Sequence, residues 1–340
     1  MSKTNKIIFY GMALALAIAA PFLAPNYQAQ MAFLWLMILF ALTWDIMGGQ
    51  MGYNSFGNVV FFGIGMYTTA VIQRDLFYTM DEYTTSAGRV DALTPDQYLG
   101  GLSLGMASGA VLAVIIAYIL GRGILGLRGH YFAICTLGLT IAVGEIASGI
   151  DYIGAGSGLV TPVYPSELGS KGALFYFIFL IIAVLAFIVL RWLYSGQFGL
   201  AINAIRDDED KAEAMGLHTV RYKTVAWCVS AFFLGLAGGA AGNLIGFIDP
   251  INVAFSGATF GVWMVLMAIL GGKGTIWGPV IGAAVFHITQ ELFWTYLFGW
   301  QRVALGLMIV VIVVFFPLGI MGWARERWPD RFGEKIEEKA

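Results

Sequence analysis

Charge is what this sequence has least of. Only 12% of its 340 residues are Asp, Glu, Lys or Arg, about half the roughly 25% usual for soluble domains. Such a chain is not a soluble globular protein. A basic excess is also missing: 19 Lys and Arg stand against 21 Asp and Glu, a formal charge of -2, so nothing favours a phosphate backbone and nucleic acid is excluded as a partner. Cysteine is nearly absent. Cys135 and Cys228 both lie in apolar stretches, which provides neither a disulfide framework nor metal-ligand spacing.

What the chain has in abundance is apolar sequence, 59% of all residues. At about 20 apolar residues per helical span, ten spans are expected: 7–24, 31–48, 56–73, 99–120, 130–149, 172–193, 224–246, 257–271, 278–298 and 302–321. The fold expected is all-α, a polytopic helical membrane protein forming one transmembrane domain over 1–340. Two regions interrupt the pattern. The stretch from Gly48 to Gly57 is dense in glycine, and the eighth span is short and Gly-rich, so either is a candidate for a broken or re-entrant helix, tolerated at membrane depth only inside protein or along a wet cavity.

With both termini in the cytoplasm, ten spans place fifteen Lys and Arg inside, among them Arg122, Arg128, Arg191, Arg206, Arg221 and Lys223. They leave Arg74, Arg89, Lys171 and Arg302 outside. The excess agrees with the positive-inside rule. On this topology 74–98 is an acidic external loop, 195–223 a cytoplasmic loop and 322–340 a cytoplasmic tail. The N-terminal apolar run resembles a secretory signal but continues through Phe22, Leu23 and Ala24, and we read it as an uncleaved first span.

Three function classes survive composition: a subunit of an ATP-driven transporter, an ion-coupled carrier or channel, and an intramembrane enzyme. The enzyme would need a nucleophile with its base, or a metal motif. His287 and Glu291, four apart, have no second histidine beside them. The carrier would need ionisable groups deep in its spans, where each costs about 2.5–3.5 kcal/mol. Asp45, Glu145 and Glu291 are few, and the first two fall near span ends.

The loop 195–223 reads as carrying one short surface helix, with Asp207 or Asp208 as N-cap, acids in its first turn, and Gly216 just past its end. Ala212 and Met215, three apart, would form its apolar edge. A helix this short is unstable alone and is suited to docking in a partner's groove.

The segment "AIRDDEDKAEAMGL" within this loop resembles the cytoplasmic coupling segment of the permease subunits of branched-chain amino acid ABC importers, of the M-type. Three further blocks carry the likeness: 44–70, "WDIMGGQMGYNSFGNVVFFGIGMYTTA"; 127–140, "LRGHYFAICTLGLT"; and 270–283, "LGGKGTIWGPVIGA". Asn58 departs from the family, which more often has His or Ala there. The resemblance implies a bacterial inner-membrane permease that moves a branched-chain amino acid or a related small polar solute. Its implied partners are a homologous H-type permease, two ATP-binding subunits and an external solute-binding protein. It implies coupling to the ATPases through Arg206, Asp207, Asp208, Ala212, Ala214, Met215 and Gly216. No cofactor is expected in this chain, with ATP and magnesium on the partner subunits; Gly272-Lys273 is followed by Gly274 rather than Ser or Thr, so there is no phosphate loop. Polar candidates for a pathway are Asn54, Ser55, Thr136, Thr140 and Glu145. Gly57, Gly63, Gly65, Gly271, Gly272, Gly274 and Gly278 are expected at tight crossings or helix breaks. A stand-alone ion-coupled secondary transporter remains the alternative.

Overall fold

The computed structural model describes residues 3–77, 93–296 and 319–327, with a few isolated positions between 300 and 314. Its helices are α1 (Lys3–Leu23), α2 (Gln28–Asp45), α3 (Asn58–Ile72), α4 (Pro95–Ile124), α5 (Gly129–Ser148), α6 (Lys171–Ser195), α7 (Gln197–Asp207), α8 (Glu209–Ala214), α9 (Thr219–Ile245), α10 (Val262–Gly271), α11 (Trp277–Tyr296) and α12 (Gly319–Arg327). Two dipeptide strands, β1 (Leu159–Val160) and β2 (Phe247–Ile248), pair antiparallel.

Six helical segments among the described residues are long and apolar enough to cross a membrane: Pro25–Gln50, Pro95–Ile124, Gly129–Ser148, Lys171–Ser195, Thr219–Ile245 and Pro250–Gly271. The architecture is polytopic and helical, and the described residues do not confirm the expected count of ten. The expected first span is a shorter apolar helix over Tyr10–Leu23, and α3 has only 15 residues. Most of 302–321, and 78–92 within the expected external loop, lie outside the described residues, as does the tail from 328 onward.

Boundaries follow local chemistry. Pro95 opens α4 behind a capping box, with Thr94 Oγ1 accepting from the Gln97 amide and the Gln97 side chain accepting from the Thr94 amide; two orphan donors are satisfied. Residues 95–98, expected in the external loop, are therefore helical. The eighth span is shorter as an α-helix than expected. Gly257–Gly261 forms a π-turn ahead of α10, and a second π-turn over Pro250–Ala254 precedes it.

The core is built on α9, which packs most extensively on α4 and α3. Glycines let these backbones meet. A Cβ at Gly65 would overlap the Gly235 carbonyl oxygen, one at Gly238 the Phe62 carbonyl oxygen, and one at Gly105 would lie 2.8 Å from the Thr69 Cα. Small residues replace the missing hydrophobic drive between helices in lipid by permitting close van der Waals contact. At the other extreme, 28% of the apolar stretch of α5 is buried, against 72% for α9.

Interelement contacts sort the connections to two ends of the bundle. Segment 46–57, the α4–α5 turn, α7, α8 and the α10–α11 turn meet at one end. Arg74 and Asp75, bound to Tyr152, lie at the other, with the β1–β2 pair and the contact between Gln28 and Ser170.

Candidate functional site

Two irregular segments and one short helix define the site. The first segment follows α2, whose chain tightens into a π-turn over Ile46–Gln50 and then runs without regular structure to Gly57. Such turns recur where a helix is interrupted for function. Trp44 Nε1 donates to the Ser55 carbonyl (2.8 Å) and the Tyr53 amide to the Met47 carbonyl (2.8 Å), folding the segment back on α2. Asn58 locks its end. Its Oδ1 accepts from Trp227 Nε1 (2.9 Å) and Ser55 Oγ (2.9 Å), and its Nδ2 donates to the Thr43 carbonyl (3.4 Å).

α5 lies across this segment. Thr136 Oγ1 accepts from the Phe56 amide (3.2 Å) and Thr140 Oγ1 donates to the Phe56 carbonyl (3.0 Å). Backbone that would otherwise be orphaned at depth is thus satisfied by two buried hydroxyls one turn apart. The second irregular segment packs on the same helix, where a Cβ at Gly257 would touch the Thr140 methyl and one at Gly144 the Phe255 side chain. Both breaks meet on one face of α5. The other face is open, carrying Tyr131, Ile134, Ile141 and Glu145 exposed.

The expected coupling helix is two helices. Asp208 takes an extended conformation (φ -164°, ψ 105°) between α7 and α8 and caps α8 by accepting from the Lys211 amide (3.0 Å). Gly216, at φ +89°, is left-handed and ends the turn, as a C′ glycine does. The edge expected from Ala212 and Met215 does not form. Ala212 is buried against the bundle while Met215 is 87% exposed, because α8 ends at Ala214 and the chain turns there. Ala214, Arg206 and Asp207 are exposed, with Arg206 paired to Asp207 (3.2 Å).

An ionic cluster ties α8 to the bundle. Lys223, fully buried on α9, donates to Glu209, to Tyr53 Oη (3.0 Å) and to the Leu125 carbonyl (3.2 Å), and lies 4.1 Å from the Tyr53 ring centroid. Its three N–H groups thus have three partners. Tyr53 donates to the other Glu209 oxygen. Arg128, the residue before α5, pairs with Glu209 (3.7 Å), Asp210 and Glu213 (2.9 Å), and Thr219 donates to Glu213 (2.6 Å). Burial pushes the Glu209 carboxyl up, but hydrogen bonds from Lys223 and Tyr53 outweigh it and hold the group below its ordinary value. From Tyr53 the contact continues edge-on to Phe132 of α5 (5.4 Å), and from there to Trp227 (6.4 Å). The α8 carboxylates are therefore joined to both the irregular segment and α5.

Residue patterns missed this cluster. Glu209, Lys223 and Tyr53 are 14 to 170 positions apart, and only the buried place of a lysine at the second turn of α9 marks it. Asp45, near an end as expected, accepts from the Gly274 amide (2.8 Å), a structural tie across the α2 and α10–α11 breaks. Gly271, Gly272 and Gly278 form the tight α10–α11 crossing, Gly63 abuts Ala254 and Phe255, and Gly57 lies beside Thr136 and Trp227. Asn54 is exposed. His287 contacts the Gln30 carbonyl through Nε2 (2.9 Å), and no metal-holding trio of His, Cys, Asp or Glu occurs among the described residues.

These features define a multi-pass membrane permease with broken helices beside an open helix face. The family model described as branched-chain amino acid transport system / permease component matches residues 27–315, and the chain belongs to that family. It is 24% identical over 371 aligned positions, covering all of this chain and 80% of the relative, to the high-affinity branched-chain amino acid transport system permease protein LivM of Salmonella typhimurium. A probable LivM permease of Methanocaldococcus jannaschii is 26% identical over 72% of this chain and 75% of its own length. The probable LivH permease of the same organism is 30% identical over 46% and 50%. No solved structure matches. The chain is a membrane-spanning transport subunit of the ABC importer class.

Proposed function

We propose that the chain forms half of a pathway importing branched-chain amino acids, or a closely related small polar solute, across the bacterial inner membrane. A homologous H-type permease supplies the other half, an external binding protein delivers the solute, and two ATP-binding subunits engage α8 from the cytoplasm, where both termini lie. One observation carries this reading: Ala214 at the end of α8 and Met215 in the turn after it face outward, while the α8 carboxylates are tied to Lys223, Arg128 and Tyr53. A push on α8 then reaches α5 and segment 46–57 without crossing flexible chain. The exposed face of α5 supports the pairing. Glu145, exposed one turn from the end of α5, is accommodated where that end faces the second permease or the wet pathway.

The test is uptake of labelled leucine into proteoliposomes holding the chain with its copurifying subunits and the binding protein. ATP hydrolysis should drive it without an ion gradient, and Met215→Glu should leave membrane insertion intact while separating hydrolysis from uptake. Uptake that collapses with the proton or sodium gradient and ignores ATP would establish the stand-alone carrier instead.

A further inference from the structure

Between α4, α6 and α9 runs an open groove of about 850 Å³, within the range of about 300–1,000 Å³ typical of ligand sites. Its walls are apolar along most of their length. Val114 and Tyr118 come from α4, and Val225, Cys228 and Phe232 from α9. At the end beside α8 the lining changes to two arginines, Arg122 near the end of α4 and Arg221 in the first turn of α9. Neither has an acidic partner within 4.0 Å among the described residues. Arg122 is held over the Tyr118 ring, 4.3 Å from its centroid, and donates to the Tyr118 hydroxyl, so its guanidinium stays at the groove rather than turning freely to solvent.

From Arg221 to Phe232 the α9 wall spans eleven residues, about 16 Å at 1.5 Å per residue. That is half of the roughly 30 Å hydrocarbon core, one leaflet deep. Charge at the headgroup level and apolar walls for a leaflet's depth below it match one chemistry. We propose that this groove is a binding site for an anionic diacyl phospholipid, its phosphodiester held by Arg122 and Arg221 and an acyl chain lying along Val225 and Phe232. Guanidinium forks suit phosphate oxygens, and basic pockets between spanning helices take anionic headgroups by this pairing. Arg221 is two residues from Lys223, and its side chain also lines the hollow beside Gly216 and His218, so the bound lipid abuts the anchor of α8.

The experiment is native mass spectrometry of the full chain with its copurifying subunits, titrated with phosphatidylglycerol or phosphatidylcholine of identical acyl chains. The expected result is about tenfold or greater preference for phosphatidylglycerol, lost in the double variant Arg122→Gln/Arg221→Gln. Val225→Trp, which keeps both arginines and fills the groove, should lower retention as well. Millimolar inorganic phosphate should not displace the lipid. Equal retention of the two lipids, a preference that survives the double variant, or displacement by phosphate would overturn the proposal. So would cross-linking of a cysteine placed at 225 to a helix of another subunit, which would make the groove a protein interface.

Discussion

The α3–α4–α9 bundle and the α5 region are held by different kinds of contact. In the bundle, backbones touch through Gly65, Gly105, Gly235 and Gly238, at separations that leave no room for a Cβ. Around α5, contact is made by side chains: Thr136 and Thr140 on Phe56, Phe132 on Tyr53 and Trp227, and Arg128 on the α8 carboxylates. Close-packed interfaces have discrete arrangements and do not slide continuously. Hydrogen bonds and ring contacts exchange partners at little cost. The difference assigns the bundle the part of a rigid frame and α5, with its broken neighbours, the part that changes position.

Removing the tie between the two regions has the largest expected effect. Lys223→Met leaves Glu209 without its buried cation, and should cost about 3–5 kcal/mol, seen as a lowered unfolding temperature and lost transport; adding Glu209→Gln should restore stability but not coupling. The same pair sets an acid limit. Because the Glu209 carboxyl is held below its ordinary value of 4.5, its contribution is present above that value and disappears as pH falls through the folded pKa. A melting series from pH 7 to pH 3 should lose stability there, and in the Glu209→Gln variant that part of the loss should be absent.

Gly65→Ala comes next, since its methyl meets the Gly235 carbonyl. A loss of about 1–3 kcal/mol is expected, and a neutral outcome would remove the rigid-frame reading. Thr140→Val, of similar shape, leaves the Phe56 carbonyl without that donor and should cost about 1–3 kcal/mol, with changed uptake kinetics as the distinguishing effect. Smallest is Arg128→Gln. The Arg128 side chain is 45% exposed, and exposed ion pairs are screened by solvent and contribute little, so thermal stability should barely move while the salt dependence of coupling decreases.

Much of the helical architecture was legible because lipid imposes length and hydropathy on a span. A cap at Asp207 or Asp208, of which Asp208 is the one that forms, and the Gly216 stop were legible because both are local chemistry. What sequence did not reveal was non-local. Asp208 separates two helices because its extended backbone is fixed by the packing of Ile202 and Ile205 on one side and Ala212 on the other, all buried. Asn58, the departure from the family's usual residue, becomes intelligible only when Trp227 and Ser55 are seen to converge on its side-chain oxygen. Thr136 and Thr140 satisfy backbone at a helix break, a role their spacing on α5 permits but does not announce.

Hydrogen exchange of the assembled transporter, read by mass spectrometry with and without ATP, tests the division most directly, because protection reports local opening segment by segment. ATP should change protection in α5, α8 and segment 46–57 and leave α3, α4 and α9 unchanged. A change spread evenly over all of these, or confined to α3, α4 and α9, would contradict that division.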